Sequence, residues 1–428
     1  MKINVFWFRR DLRIEDNTAF CEALRNKNVK PVFIFDDFIL NKLPKNDARL
    51  TFIHSLLVKI NNNLTKYNSG ISCYYGNPLS VWREIISHHD IETVFWNKDY
   101  EPYARNRDQE IKKLLISHNI NVRTFKDQVI FEECDVVKDD GSPYVVFTPY
   151  KKKWLSLYNS IFINRSKKLY SEVNFSNLFM QKSHIIALQK LGFIKSKLRV
   201  RDFDFNSISH YDSIRDFPEQ DNTSYLSPHL RFGSVSIRKC ADIAIQKNIT
   251  FLSELIWREF FMQILFHFPK VETSCFKSKY EKIKWQNNQS DFEKWCNGMT
   301  GYPLVDAGMR QLNETGYMHN RVRMITASFL VKHLLIDWRW GERYFASRLL
   351  DYDLSANNGN WQWVAGTGCD SAPYFRIFNP QEQLRKFDKK YIYVKRWVKD
   401  FGKSSYPNEM IDHQFARARC LNIYKQIF

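Results

Sequence analysis

The residues most able to do chemistry lie close together in 301–380. That stretch holds Trp338 with Trp340, Trp361 with Trp363, Asn320, Asn357 and Asn358, the carboxylates Asp351 and Asp353, and the guanidiniums of Arg321, Arg323 and Arg376. Indoles, amides and acids this dense in an apolar helical run need partners when buried. A large planar ligand carrying an anionic part would supply them. Spacing adds a second argument. Glu254, Trp257 and Arg258 lie at i, i+3 and i+4, as do Asn320, Arg323 and Met324, so each set shares one helix face. Asp353, Asn357 and Trp361 follow at steps of four, with Gly359 weakening the helix between them. An intrahelical Glu254–Arg258 pair beside a core indole would leave the same signature. Upstream, Thr223, Ser224 and Ser227 are hydroxyls just before a helix expected to begin near Pro228. They can cap that helix or help its free N–H groups hold a phosphate.

These side chains need a scaffold, and the chain offers two kinds. Short β-rich runs at 3–8, 31–35, 71–75, 93–96 and 121–125 alternate with amphipathic segments such as 51–64 and 105–117. That alternation predicts an α/β domain built on a parallel sheet with helices on both faces, nucleotide-fold in shape. No GxGxxG follows the first strand; Arg9-Arg10-Asp11-Leu12-Arg13 stands there, so the usual nicotinamide site is absent. A ligand of this domain would sit outside the carboxyl ends of the strands. From about 130 to 195 the periodicity weakens. The basic runs Lys151-Lys152-Lys153 and 165–168 read as solvated surface on a long connector. From about 196 the pattern is mainly helical, including 251–268 and 322–337. The expected division is 1–128, 129–195 and 196–428.

Composition narrows the class. At 428 residues the chain is too long for one ordinary core. Gly 14 and Pro 13 are too few for a fibrous or disordered protein. Lys+Arg 64 against Asp+Glu 46 leaves +18, a surplus that favours polyanions, although a lysine-rich surface alone gives the same number. The 8 cysteines show no CxxC or metal spacing, so reduced thiols of a cytoplasmic protein are expected, with no metal. There is no signal-peptide pattern at the start and no apolar run of spanning length, so no membrane is expected either.

The ordered blocks WFRRDLRIEDN, TSYLSPHLRFG, ELIWREF, GYPLVDAGMRQL, MHNRVRMITASFLVKHLLIDWR, DYDLSANNGNWQW and PYFRIFNP carry a resemblance along nearly the whole chain. They resemble the photolyase/cryptochrome family. The resemblance implies an α/β antenna domain, a connector and an all-α domain that binds FAD. Within the family, Met-His-Asn-Arg-x-Arg-Met at 318–324 is similar to the class I branch that repairs cyclobutane pyrimidine dimers. The (6-4) branch has a second histidine where this chain has Asn320, and the DASH branch departs around Gln362 and Trp363.

Carried over by position, the resemblance implies that Glu254 and Asn320 bond the bases of a flipped-out dimer, with Met324 beside them and Trp257 and Trp363 as walls. A raised Glu254 pKa would suit proton sharing. Asn357 would face the flavin N5. Tyr211, Thr223, Ser224, Tyr225, Leu226 and Ser227 would hold the phosphate and ribityl part. Asp351 and Asp353 would lie along the flavin and adenine, with Arg258 and Arg323 as counter-charges. Trp361, Trp338 and Trp285 match an electron-hopping chain, and Arg215, Arg321 and Arg376 match DNA contacts. Tyr100-Glu101-Pro102 is followed by Tyr103-Ala104 without the Asn-Glu pair of folate-binding relatives. A folate antenna is therefore doubtful, while a deazaflavin, a second flavin or no antenna stay open. No regulatory tail is expected after 391–428, and together with the intact lesion-pocket motif and Asn357 this favours a repair enzyme over a signalling cryptochrome; a monomer is expected.

Overall fold

Five strands form in the amino-terminal part: β1 (Ile3–Phe8), β2 (Val29–Asp36), β3 (Ser72–Gly76), β4 (Ile91–Asn97) and β5 (Asn121–Phe125), all paired in parallel in the order β3-β2-β1-β4-β5. The inner strands β1 and β2 are buried along their whole length because both sheet faces are covered there, whereas the edge strands β3 and β5 are part-exposed. Phe6, Phe8, Phe33 and Phe95 enter one core, while Val5, Trp7, Val32 and Trp96 enter the other. The computed structural model describes residues 1–164 and 173–427; the basic run at 165–168 lies outside them. Packing groups Met1–Gly141, Lys151–Phe203 and Tyr225–Ile245 into one unit, and Ser142–Tyr150, Asp204–Ser224 and Gln246–Phe428 into another.

The arginine-rich block after β1 turns out to be a clasp within the first unit. Arg13 Nη2 and Arg238 Nη2 both donate to Asp127 Oδ1, at 2.7 and 2.8 Å. Arg10 Nη1 and Arg231 Nη1 likewise converge on Glu101 Oε1, at 2.7 and 2.6 Å. The Leu12 N–H donates to Phe232 O at 3.0 Å. Gly233 lies at φ +68, and a Cβ there would sit 2.4 Å from Arg10 O, so only glycine fits. Residues 225–245 therefore pack with the α/β unit, although the division drawn on periodicity assigns them to the helical part. Side-chain pairing decided this, and periodicity does not report pairing.

The stretch read as an irregular connector contains an 18-residue helix, Phe147–Asn164. Its lysines interrupt a buried stripe of Tyr150, Trp154 and Tyr158 at steps of four, which hid the period. In the second unit the principal helices are Ile249–His267, Pro303–Thr315, Asn320–Ser328, Trp338–Arg348, Leu354–Ala365 and His413–Lys425. The helix expected over 322–337 is shorter. It starts at Asn320, widens into a π turn at Phe329–His333, and cannot continue past Leu335 at φ +50. No described helix is long and apolar enough to cross a membrane.

Asp127 is buried, yet two guanidiniums outweigh the cost of burial and hold its carboxyl down to about 2, from 3.8. Asp127→Ala strands both arginines and should cost about 3–5 kcal/mol of unfolding free energy at neutral pH. A carboxyl depressed in the folded state stabilises above its unfolded pKa. The gap between wild type and variant should therefore narrow as pH falls from 4 through 2. Denaturant melts at several pH values measure this.

Candidate active site

The Asn320–Ser328 helix carries the 318–324 motif. His319 caps it: its Nδ1 accepts the Arg321 N–H at 3.2 Å. Burial, reinforced by Arg323, lowers the His319 pKa to about 4, so the ring is neutral and free to accept. Asn320 is exposed, and Met324 is half-buried one turn on. Arg323 donates to Asp351 Oδ2 at 2.9 Å and to Met318 O at 2.8 Å, so the predicted counter-charge and the predicted acid find each other. Arg321 Nη2 reaches Asp216 Oδ1 at 2.5 Å, a partner that sequence reasoning missed.

Glu254 is ion-paired with Arg215, at 2.8 Å. Two residues given separate tasks by motif, one reading bases and one holding DNA, thus share a bond, and the partner comes from a different element than the intrahelical Arg258. Arg258 lies half-buried on the same helix. Tyr211 lies under Arg215, 5.2 Å from ring centre to guanidinium carbon. Burial first, and then Glu254, pushes its phenol up. Trp257 stacks on Phe147 with centroids 3.6 Å apart and planes 9° from parallel. Phe147 belongs to the stretch that looked like a connector, so local pattern gave no hint of it.

Leu354–Ala365 is helical, with Asp353 as its cap: the Ala356 N–H donates to Asp353 Oδ1 at 3.2 Å, and the Ser355 hydroxyl donates to the same oxygen. Gly359 does not break it. The residue is small because a Cβ would lie 2.2 Å from Phe261 Cδ1, where the Ile249–His267 helix crosses. The amides on this helix divide into two kinds. Asn358 and Gln362 are structural: Asn358 Nδ2 donates to Val271 O at 2.9 Å, Gln362 Nε2 to Val271 O at 3.0 Å, and Phe276 N–H to Gln362 Oε1 at 2.8 Å. Asn358, grouped at first with the ligand-facing amides, is therefore spent on the chain itself. Asn357 Nδ2 donates to Glu342 Oε1 at 2.7 Å and to Glu342 O at 3.1 Å. Two acceptors at the NH2 end fix the amide orientation and aim the carbonyl Oδ1 the other way. Burial raises the Glu342 pKa, and the Asn357 bond opposes that shift.

Trp361 and Trp338 are buried in the helical core, whereas Trp285 is half-buried against it. Trp361 meets Phe345 edge-on at 5.0 Å, and Arg339 lies 4.9 Å from the Trp338 ring centre. Trp363 is half-buried, and Arg376 is exposed. The hydroxyl run is less regular than expected. The helix is Leu226–Phe232, starting two residues before Pro228; Tyr225 precedes it at φ 51, and no side chain caps it. Tyr211, Thr223 and Ser224 group with the second unit, while Tyr225, Leu226 and Ser227 group with the first. The Tyr225 phenol accepts from Arg201. At the carboxyl ends of β2 and β4, Phe38 stacks on Tyr103 at 4.7 Å, and the Tyr103 hydroxyl donates to Asp36 Oδ2 at 2.7 Å.

Residues 251–405 match the family described as the FAD binding domain of DNA photolyase, and residues 4–168 match DNA photolyase. A deoxyribodipyrimidine photo-lyase of Synechococcus is 32% identical over 99% of this chain and 96% of its own length. The crystal structure of a bacterial class III photolyase from Agrobacterium tumefaciens superposes with TM-score 0.88 at 33% identity, covering 100% of this chain and 98% of that one. An archaeal photolyase from Sulfolobus tokodaii, solved with two FAD molecules, gives TM-score 0.85 at 33% identity over 99% of both chains. The chain belongs to the deoxyribodipyrimidine photo-lyase family.

Asn358→Leu or Gln362→Leu should each cost about 1–3 kcal/mol by leaving buried backbone groups unpaired. The two amides bond each other at 3.1 Å, so the double variant should cost less than the sum of the singles. Thermal melts of the four proteins check this; strict additivity would mean independent roles.

Proposed function

We propose that this protein is a light-dependent lyase that splits cyclobutane pyrimidine dimers in DNA, with FAD as its cofactor. The observation that carries the reading is Asn357. Its NH2 end is held by Glu342, and its Oδ1 takes no bond from the described residues. A carbonyl so aimed suits an N–H at the N5 edge of a reduced flavin. When bound, FAD would supply the photoexcited electron that the reaction needs.

The chain's own residues would do the rest. A dimer turned out of the duplex loses its stacking partners, and the flat faces of Trp257 and Trp363 replace them. Phe147 behind Trp257 keeps that face in place. The exposed amide of Asn320 would read the carbonyl and imide edges, with Met324 packing beside it. Glu254 would bond the bases and share a proton with them; Arg215 keeps it positioned until a dimer arrives. Arg323 balances Asp351, while Asp353 and Arg258 complete the polar lining.

Arg215, Arg321 and Arg376 would meet phosphates at the pocket mouth. Two of them already hold acids, Glu254 and Asp216, so phosphate must compete with a carboxylate there, while Arg376 stands exposed. Phosphate contacts fix position, and the pocket reads the lesion. The order of burial from Trp361 and Trp338 to Trp285 suits passing an electron inward from a reductant at the surface in short steps. The protein would act as a monomer in the cytoplasm with the DNA, in a nucleoid or a nucleus; the +18 charge supports DNA as its partner. For a second chromophore the sequence disfavours a folate and leaves a deazaflavin, a flavin or none; an absorption spectrum of the purified protein distinguishes them.

Illumination of the reduced protein with oligonucleotides carrying either lesion tests the assignment. Reversal of cyclobutane dimers, with (6-4) photoproducts untouched, is expected. If neither lesion is reversed while the flavin still photoreduces, the protein is a cryptochrome-type receptor. Glu254→Ala should keep FAD and lose most of the repair yield. Trp361→Phe should slow photoreduction of oxidised flavin while sparing repair by pre-reduced flavin. Loss of both together would mean that Trp361 holds the cofactor instead of feeding it electrons.

A further inference from the structure

The π turn Phe329–His333 places a lysine where none is expected. Lys332 is 0% exposed, and its Nζ donates to Ala365 O at 2.8 Å and lies 3.4 Å from Tyr374 O. The ammonium sits 3.9 Å from the ring centre of Tyr424, whose hydroxyl donates to the same Ala365 O at 2.8 Å. Ala365 is the last residue of the helix that carries Asn357, Trp361 and Trp363. Beyond it the chain doubles back. The Ser371 hydroxyl donates to Gly366 O at 3.0 Å, the Ala372 N–H to Trp363 O at 3.2 Å, and the Arg376 N–H to Pro373 O at 2.8 Å. Tyr374 O therefore belongs to the tight turn that presents Arg376. One buried cation bridges the end of the pocket helix and the turn at the pocket mouth.

A buried charge is expensive, and an apolar side chain of the same length would fill the space without that cost. The compensation on view comes from the partial negative charge of a helix C-terminus, two carbonyls and an aromatic face. Cys420 is the titratable group that acts on the ammonium; the Tyr424 ring, stacked with that of Tyr374, faces it from the carboxy-terminal helix. We propose that Lys332 is a positioning residue for damaged DNA, holding the Pro373–Arg376 turn against the Leu354–Ala365 helix so that Arg376 meets a phosphate beside Trp363. This rests on the reading of Arg376 as a DNA contact. Burial lowers the Lys332 pKa to about 8, so the bridge loses its charge in mildly alkaline solution. Stability moves the other way. The folded state holds fewer protons than the unfolded one between about pH 8 and 10.5, so the Lys332 contribution to stability rises with pH. A fall in binding over that window is therefore not unfolding.

The test uses the full chain loaded with FAD and a fluorescent oligonucleotide carrying one cyclobutane thymine dimer, read in the dark by anisotropy. Lys332→Met should weaken binding about tenfold, the worth of one charge-assisted hydrogen bond, while flavin absorbance is unchanged. Wild-type affinity should drop toward the Lys332→Met value above pH 8, and Lys332→Arg should hold its affinity across that range. Should Lys332→Arg be too large to fold, the wild-type titration against Lys332→Met carries the same comparison. Arg376→Ala should weaken binding too, and the double variant Lys332→Met/Arg376→Ala should bind no worse than Arg376→Ala. Full affinity in Lys332→Met, or multiplied losses in the double variant, overturns the inference while leaving Arg376 as a DNA contact. Unchanged binding in Arg376→Ala overturns the reading of Arg376, and the inference with it.

Discussion

Every polar group on the Leu354–Ala365 helix has to be satisfied inside an apolar core, and that constraint shapes the second unit. Asp353 spends its carboxylate on the first turn, Asn358 and Gln362 spend their amides on the 271–276 backbone, and the helix end spends Ala365 O on Lys332 and Tyr424. Asn357, half-buried, is held at its NH2 end and left with a carbonyl to offer, whereas Asn360 is turned to solvent. A ligand that needs an acceptor at that point is selected by what the protein has not already satisfied.

Around that helix, charges are paired before any ligand arrives. Arg215 with Glu254, Arg321 with Asp216 and Arg323 with Asp351 each join groups from different elements. Such pairs, part-exposed, contribute little to stability. They hold side chains in a defined position.

The first unit obeys a different rule. Its sheet is parallel and covered on both faces, so the polar groups gather at the carboxyl ends of the strands, where backbone leaves the core. There Asp127 and Glu101 each draw two arginines, one from the 9–13 block and one from 231–238. The arginine-rich block that stands where a GxGxxG is absent is the clasp that fastens a later segment to the sheet.

All five strands and the shared faces of Glu254, Trp257 and Arg258, and of Asn320, Arg323 and Met324, were legible from the sequence; the cap at Asp353 was not. Periods of two and 3.6 are local, and a side chain cannot leave the face its period assigns. The ordered motifs likewise identify the family, because residue type and order are properties of the chain alone. Pairing is not. That Glu254 meets Arg215, that Phe147 backs Trp257, that Glu342 orients Asn357, and that Lys332 lies buried under Tyr424 depend on contacts between residues far apart in sequence. Those contacts are set by packing of whole elements, and no local pattern records them. Tertiary structure alone decided which amides are structural and which acids are already paired, and so which groups remain to do chemistry.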